Sequence, residues 1–221
     1  MCNHVKQITS TPHEGPSMSA SNKPLSLRER NRMRTRGDIL DTAAELLSSE
    51  GYASTALEVL SQQAGISRGT IYAHFPGGRD EIVREVYLRI ADAVYVRGIS
   101  LRDPLTDPGA RITALATALV EATKEPKGRF YGVMGPDLVS ALSDVMGSTS
   151  RSFEELIARD LKDAKDSGTL PEDAPTEALA STITGAIRAA GAAAARKPAD
   201  AEPAVAAIRL LMDGLLVRAT V

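Results

Sequence analysis

TALEVLSQQAGISRGTIYAHF, residues Thr55–Phe75, reads as two short helices joined by a tight turn. Thr55 and Glu58 have capping-box spacing, in which a hydroxyl accepts from a free backbone N–H while the acid reaches back. Gly65 stands where the first helix must end and the chain must turn, a position suited to left-handed backbone angles. Ser67 offers an N-cap for the second helix. Leu57, Leu60, Ala64, Ile66, Ile71 and Phe75 recur at intervals that let both helices share one small core. Arg68, Gly69, Thr70, Tyr72 and His74 are left facing outward. The pattern is a helix-turn-helix with its second helix exposed.

Outward from this stretch, composition points to an all-α chain. The 221 residues are 43% hydrophobic but only 4% aromatic, without Trp, and are rich in Ala and Leu, with few β-branched runs. The formal net charge of −2 argues against a general nucleic-acid coat, but it is unevenly spread. Between Lys23 and Arg36 six basic side chains face one acid, Glu29. A local basic patch beside an exposed helix matters more for phosphate binding than the total charge. Cys2 is the single cysteine, so neither an internal disulfide nor a cysteine metal cluster is available, which suits a reducing cytoplasm. No stretch approaches a membrane span or the apolar core of a signal peptide.

Residues 1–24, rich in Ser, Thr and Pro, read as a flexible tail, and Met18 is an alternative start to Met1. A first helix runs from about 26 to 50, with Ser26–Glu29 and Thr35–Asp38 as competing caps and Gly51 as its stop. After Pro76-Gly77-Gly78 a fourth helix spans about 79–97. Further helices fall near 109–124, 136–145, 149–167, 175–196 and 202–219, punctuated by Pro and Gly. The expected organisation is a three-helix unit over 25–79, a linking helix over 80–97 and a helical second domain over 98–221.

ILDTAAELLSSEGYASTALEVLSQQAGISRGTIYAHFPGGRDEIV, within the span from about Thr35 to Tyr87, resembles the DNA-binding region of TetR/AcrR transcriptional regulators. The carrying features are Glu-Gly-Tyr ending a helix, a Thr before the next, Ala-Gly-Ile-Ser, and Thr-Ile-Tyr-Ala-His-Phe-Pro. Ser61 replaces a usual Ala, and Gly78-Arg79 a usual Ser-Lys. The resemblance implies a homodimer on a palindromic operator, with a helical domain for ligand binding and dimerisation. It also implies phosphate contacts from Tyr72 and His74.

The residues themselves suggest how a duplex is met. Arg68 reaches guanine O6 and N7 or a phosphate, Gly69 allows close backbone approach, and Thr70 meets a thymine methyl or a phosphate. Thr55 sets free N–H groups at a helix start against a phosphate. Arg79 holds the flanking backbone. Arg34 and Arg36 belong to a basic arm that contacts phosphates, enters the minor groove, or is only a solvated face. Tyr72 doubles as a core candidate, and His74 as a cation at a helix end.

In the second half, the small residues of 175–196 and 202–219 form either a dimer seam or an interior helix pair. Phe130, Tyr131, Met134, Met146 and Phe153 are the few large residues free to line a small-molecule pocket, unless they are ordinary core. Arg188 is an anion-binding candidate or a salt-bridge partner. With His only at 4, 13 and 74, and no phosphate loop, paired-His zinc helix or nucleophile elbow, neither an enzyme nor a cofactor is expected. The favoured reading is a cytoplasmic repressor released by a small molecule, with a protein-docking helical adaptor as the alternative.

Overall fold

The computed structural model describes residues 26–134, 138 and 141–216. Among these, all regular structure is helical. The predicted tail and the choice between Met1 and Met18 lie outside the described residues.

Helix α1, Leu27–Glu50, starts at Ser26 rather than Thr35. The Ser26 hydroxyl accepts from the Glu29 N–H, and the Glu29 carboxylate accepts from the Ser26 N–H at 2.8 Å. Gly51, at φ 82°, ends it. A 3-10 turn, Tyr52–Thr55, leads to α2 (Leu57–Ala64), then α3 (Arg68–His74) and α4 (Gly78–Arg102). The second half holds α5 (Pro108–Lys124), the short α6 (Arg129–Gly132), α7 (Ser148–Asp166), α8 (Thr176–Arg196) and α9 (Ala201–Leu215). The helix predicted at 136–145 falls partly outside the described residues; within it, Leu138, Ala141 and Leu142 are helical.

Helix α4 runs past its expected end at Arg97, to Arg102, and Gly98 is a packing position within it. A Cβ there would meet the Phe153 ring at 3.0 Å and Leu115 at 3.2 Å. Its last turn is tied down at Arg102, whose guanidinium donates to both carboxylate oxygens of Asp160 on α7, at 3.1 and 2.6 Å. Arg111 on α5 also reaches Asp160, at 3.0 Å. Asp160 is fully buried, and burial pushes its carboxyl above the usual range while Arg102 and Arg111 oppose the rise.

Two apolar cores result. Ile39, Leu60, Ile71, Phe75 and Ile82 centre the first, to which Phe130, Leu138 and Leu142 return from beyond Pro126. The second joins Leu115, Ile157, Leu161, Ile187 and Met212 of α5, α7, α8 and α9. Each such side chain contributes about 1.5–3 kcal/mol on burial. Helix α4 feeds both, through Ile82–Ala91 and Val94, so the two halves share one continuous rod.

Much of the small-residue seam in α8 is spent inside the protomer. Ala180, Ala190, Gly191, Ala194 and Ala195 are buried there. A Cβ on Gly191 would meet Leu119 of α5 at 3.0 Å, so the glycine sets that helix spacing. Leu210 and Leu211 on α9, 74% and 57% exposed, stand on its outward face.

Candidate nucleic-acid interface

The α2–α3 turn closes through backbone chemistry. Gly65 takes φ 66°, ψ 27°, the Ile66 N–H donates to the Ser61 carbonyl at 3.1 Å, and the Gly65 N–H to Gln62 at 3.3 Å. The Ser61 hydroxyl donates across the turn to the Ile66 carbonyl at 2.6 Å. Ser67 caps α3, accepting from the Thr70 N–H at 3.0 Å, with the Thr70 hydroxyl 2.9 Å away. With Ile71 and Phe75 fully buried, Arg68, Gly69 and Tyr72 are turned to solvent, Tyr72 at 51% exposure. Tyr72 is therefore not a core residue.

Arg68 is ion-paired with Glu58 on α2. Ala56, Leu57, Glu58, Arg68, Tyr72 and Arg79 line a shallow hollow of about 310 Å³. The guanidinium of Arg79 lies 4.1 Å above the Tyr52 ring, and the Tyr52 hydroxyl donates to Asp80 at 2.5 Å. Burial, then the Asp80 carboxylate, pushes that phenol above its ordinary range. Glu58 and Tyr52 were not among the sequence candidates. Tyr52 was legible only as the last residue of Glu-Gly-Tyr.

Three assignments change. Thr55 does not cap α2; it belongs to the preceding 3-10 turn, is fully buried and donates its hydroxyl to the Tyr52 carbonyl. The N-cap is Ala56, without a side-chain bond, so the free N–H groups of α2 sit one residue further on than expected. Arg36 is not part of a free arm. Its guanidinium donates to the His74 carbonyl and the Glu85 carboxylate and lies 4.0 Å over the Phe75 ring. Nor can the described part of the basic run, from Arg28 on, enter the minor groove as an extended arm. It forms the first turns of α1, and a helix about 10 Å across does not fit a groove about 6 Å wide. Arg28, Arg32 and Arg34 remain exposed along α1.

His74 is half-buried, with Nδ1 lacking a partner among the described residues. Burial first, then Arg32 and Arg36, holds its pKa below the usual value, so the ring is neutral at pH 7 rather than a cation at the helix end.

A second concavity, of about 410 Å³, lies between α4 and α8. Tyr131, Met134, Met146, Phe153 and Arg188 line it, joined by Tyr87, Thr149 and Thr184. Phe130 does not. It sits on α6, which packs against α1, and its ring is buried in the first core. The Tyr131 hydroxyl donates to Thr149 Oγ1 at 2.8 Å, and burial raises that phenol far above its ordinary range. Thr149 Oγ1 in turn donates to the Ala91 carbonyl of α4 at 3.4 Å. The Gly147 N–H donates to the Tyr87 hydroxyl at 3.1 Å, and the Tyr87 and Tyr131 ring centres are 4.9 Å apart. Among the described residues no cluster suited to a metal ion occurs, and no helix is long and apolar enough to cross a membrane.

Residues 39–86 match the bacterial regulatory proteins of the tetR family. The chain is 26% identical over 106 residues to the HTH-type transcriptional regulator LmrA of Bacillus subtilis, covering 47% of this chain and 56% of LmrA. It is 28% identical over 110 residues to the HTH-type transcriptional repressor KstR2 of Mycolicibacterium smegmatis, covering 50% and 52%. The chain thus spans about half the length of these curated relatives, which are regulators, a role without catalysis. A solved TetR-family regulator from Pectobacterium atrosepticum aligns at TM-score 0.64 and 28% identity, over 86% of this chain and 97% of that one.

Proposed function

The chain belongs to the TetR/AcrR family of transcriptional regulators, and from that premise we propose that it is a sequence-specific DNA-binding repressor released by a small molecule. The exposed face of α3, held rigid by Gly65, Ser67 and Phe75, carries the reading. Arg68 contacts a guanine edge or a phosphate, and Tyr72, Arg79 and the free N–H groups of α2 hold phosphates. Arg34 and its exposed neighbours on α1 add sequence-independent attraction. The protein works in the cytoplasm, beside its DNA.

One such unit makes too few contacts for tight specific binding. Two copies, with half-sites about one helical turn apart, read a palindrome. The outward face of α9, with Leu210 and Leu211, supports a homodimer through this end of the molecule.

Release follows if a ligand favours a geometry with the wrong spacing. The cavity adjoins α4 through Tyr87 and through the Tyr131–Thr149–Ala91 hydrogen bonds. Occupancy there shifts the rod on which the α3 unit is packed. A helical adaptor is not favoured, because it leaves the matched residues 39–86 without a role.

The test is a gel shift with DNA upstream of the protein's own gene. The wild type retards it, and Arg68→Ala and Tyr72→Ala weaken retardation. Unchanged retardation in both variants would remove α3 from the mechanism.

A further inference from the structure

The lining of the α4–α8 cavity carries a charge pattern that narrows what can fill it. Arg188 is the one formally charged side chain among the described residues that line it, and it has no ion pair among them. Helix α8 carries no carboxylate after Glu177 to neutralise it. The first turn of α7 opens on the same space through Gly147, Thr149 and Ser150. That helix has no side-chain cap, so its N-terminal N–H groups and positive dipole end favour an anion as well. A third observation is independent of both. Thr184 is 4% exposed and lines the cavity, and its Oγ1 is buried without a hydrogen-bond partner among the described residues. A buried hydroxyl left unbonded inside a cavity is a place for a ligand's polar atom.

The remaining lining is apolar and ring-rich. Tyr87, Tyr131 and Phe153 offer aromatic faces and edges, and Met134 and Met146 add polarizable sulfur that adapts to a flat guest. At about 410 Å³ the space lies at the small end of the roughly 300–1,000 Å³ typical of small-molecule sites. A single guanidinium matches one negative charge and, with its planar fork, a carboxylate in particular. A phosphate monoester would bring about −1.5 to −2 and leave charge unmatched.

We propose that the cavity binds a small aromatic monocarboxylate, its rings among Tyr87, Tyr131 and Phe153, its anion held by Arg188 and a polar atom bonded to Thr184. This deepens the release reading and rests on it for its regulatory meaning, but the binding itself is separable.

The probes are 2-naphthoate and its neutral isostere 2-naphthamide, titrated by calorimetry into the full chain at pH 7.5 and fixed salt. The wild type should bind the acid roughly ten-fold or more tightly than the amide, Arg188→Gln should erase that preference, and Thr184→Val should weaken the acid several-fold. Arg188 is exposed, so its replacement should leave the melting temperature unchanged. Equal binding of acid and amide, binding of neither, or an acid affinity untouched by Arg188→Gln overturns the ligand class. The same probes in the gel shift separate the two ideas. Acid-selective binding without DNA release supports the class and removes the release reading. Release by both probes alike overturns the class and keeps release.

Discussion

The guanidinium of Arg68, at the first position of α3, is held by the carboxylate of Glu58, at the second position of α2. Both side chains are largely exposed, so the pair ties down the residue proposed to read DNA without burying it. On the proposed reading, DNA must displace Glu58 to engage Arg68. Backbone hydrogen bonding, then Arg68, keeps the Glu58 pKa below the usual carboxylate range, so it is ionised at neutral pH. Glu58→Gln should therefore tighten DNA binding, by up to about five-fold, the scale of an exposed ion pair. Fluorescence anisotropy on one duplex checks this; weaker binding would mean that Glu58 itself contacts DNA.

Arg34 and Arg36 are two residues apart in sequence but differ in surroundings, the first exposed and the second held by Glu85 and the His74 carbonyl. Arg34→Ala should lower the slope of log affinity against log salt by about 1 and leave the melting temperature alone. Arg36→Ala should leave the slope nearly unchanged and cost about 1–2 kcal/mol of stability, through its lost contacts to Phe75, Glu85 and the His74 carbonyl. Salt titrations and thermal melts on the two variants distinguish them. The opposite pattern would return Arg36 to the DNA surface.

Asp160 joins α4, α5 and α7 through Arg102 and Arg111. Asp160→Ala would leave the buried guanidinium of Arg102, only 5% exposed, with the exposed Asp103 carboxylate at 3.4 Å as its remaining acid partner. The expected loss is about 3–5 kcal/mol, a fall in melting temperature of roughly 10 °C. A melt within a degree or two of wild type would show that the cluster does not anchor α4.

His74 sets a pH dependence. Its folded pKa lies below that of the free side chain, so as pH falls the unfolded chain takes the proton first. Stability is then highest above the unfolded value near 6.5. It declines as pH drops below that value, and the loss levels off once the folded ring also protonates. His74→Gln should lose less stability than wild type between pH 7.5 and pH 5.5 in thermal melts. Parallel losses would assign the dependence to other groups.

The turn was legible because its determinants are local. Gly65 and Ser67 act on backbone within a few residues, and Ile71 and Phe75 repeat at helical spacing. Thr55 was misread for a local reason too: a 3-10 turn ahead of α2 shifts the cap by one residue, and Thr-x-x-Glu spacing cannot register that. Arg36 and Phe130 failed for a different reason. The partners of Arg36 lie 38 and 49 residues away, and Phe130 packs on a core that begins at Ile39. The end expected for α4 near Arg97 fell short because the contact that Gly98 makes possible, with the ring of Phe153, is distant in sequence. The convergence of Tyr131, Met134, Met146, Phe153 and Arg188 on one cavity followed from a scarcity of large side chains in the second half. Which of them touched which could not be read from spacing.

The most direct measurement is the ratio of affinities for the protein's own upstream DNA and for a scrambled duplex of equal length, in wild type and Arg68→Ala at one salt concentration. If α3 reads base edges, the wild type prefers its own DNA by about a thousand-fold or more, and Arg68→Ala reduces that preference by roughly ten-fold or more. Equal affinity of the wild type for both duplexes, or a preference untouched by Arg68→Ala, would contradict it.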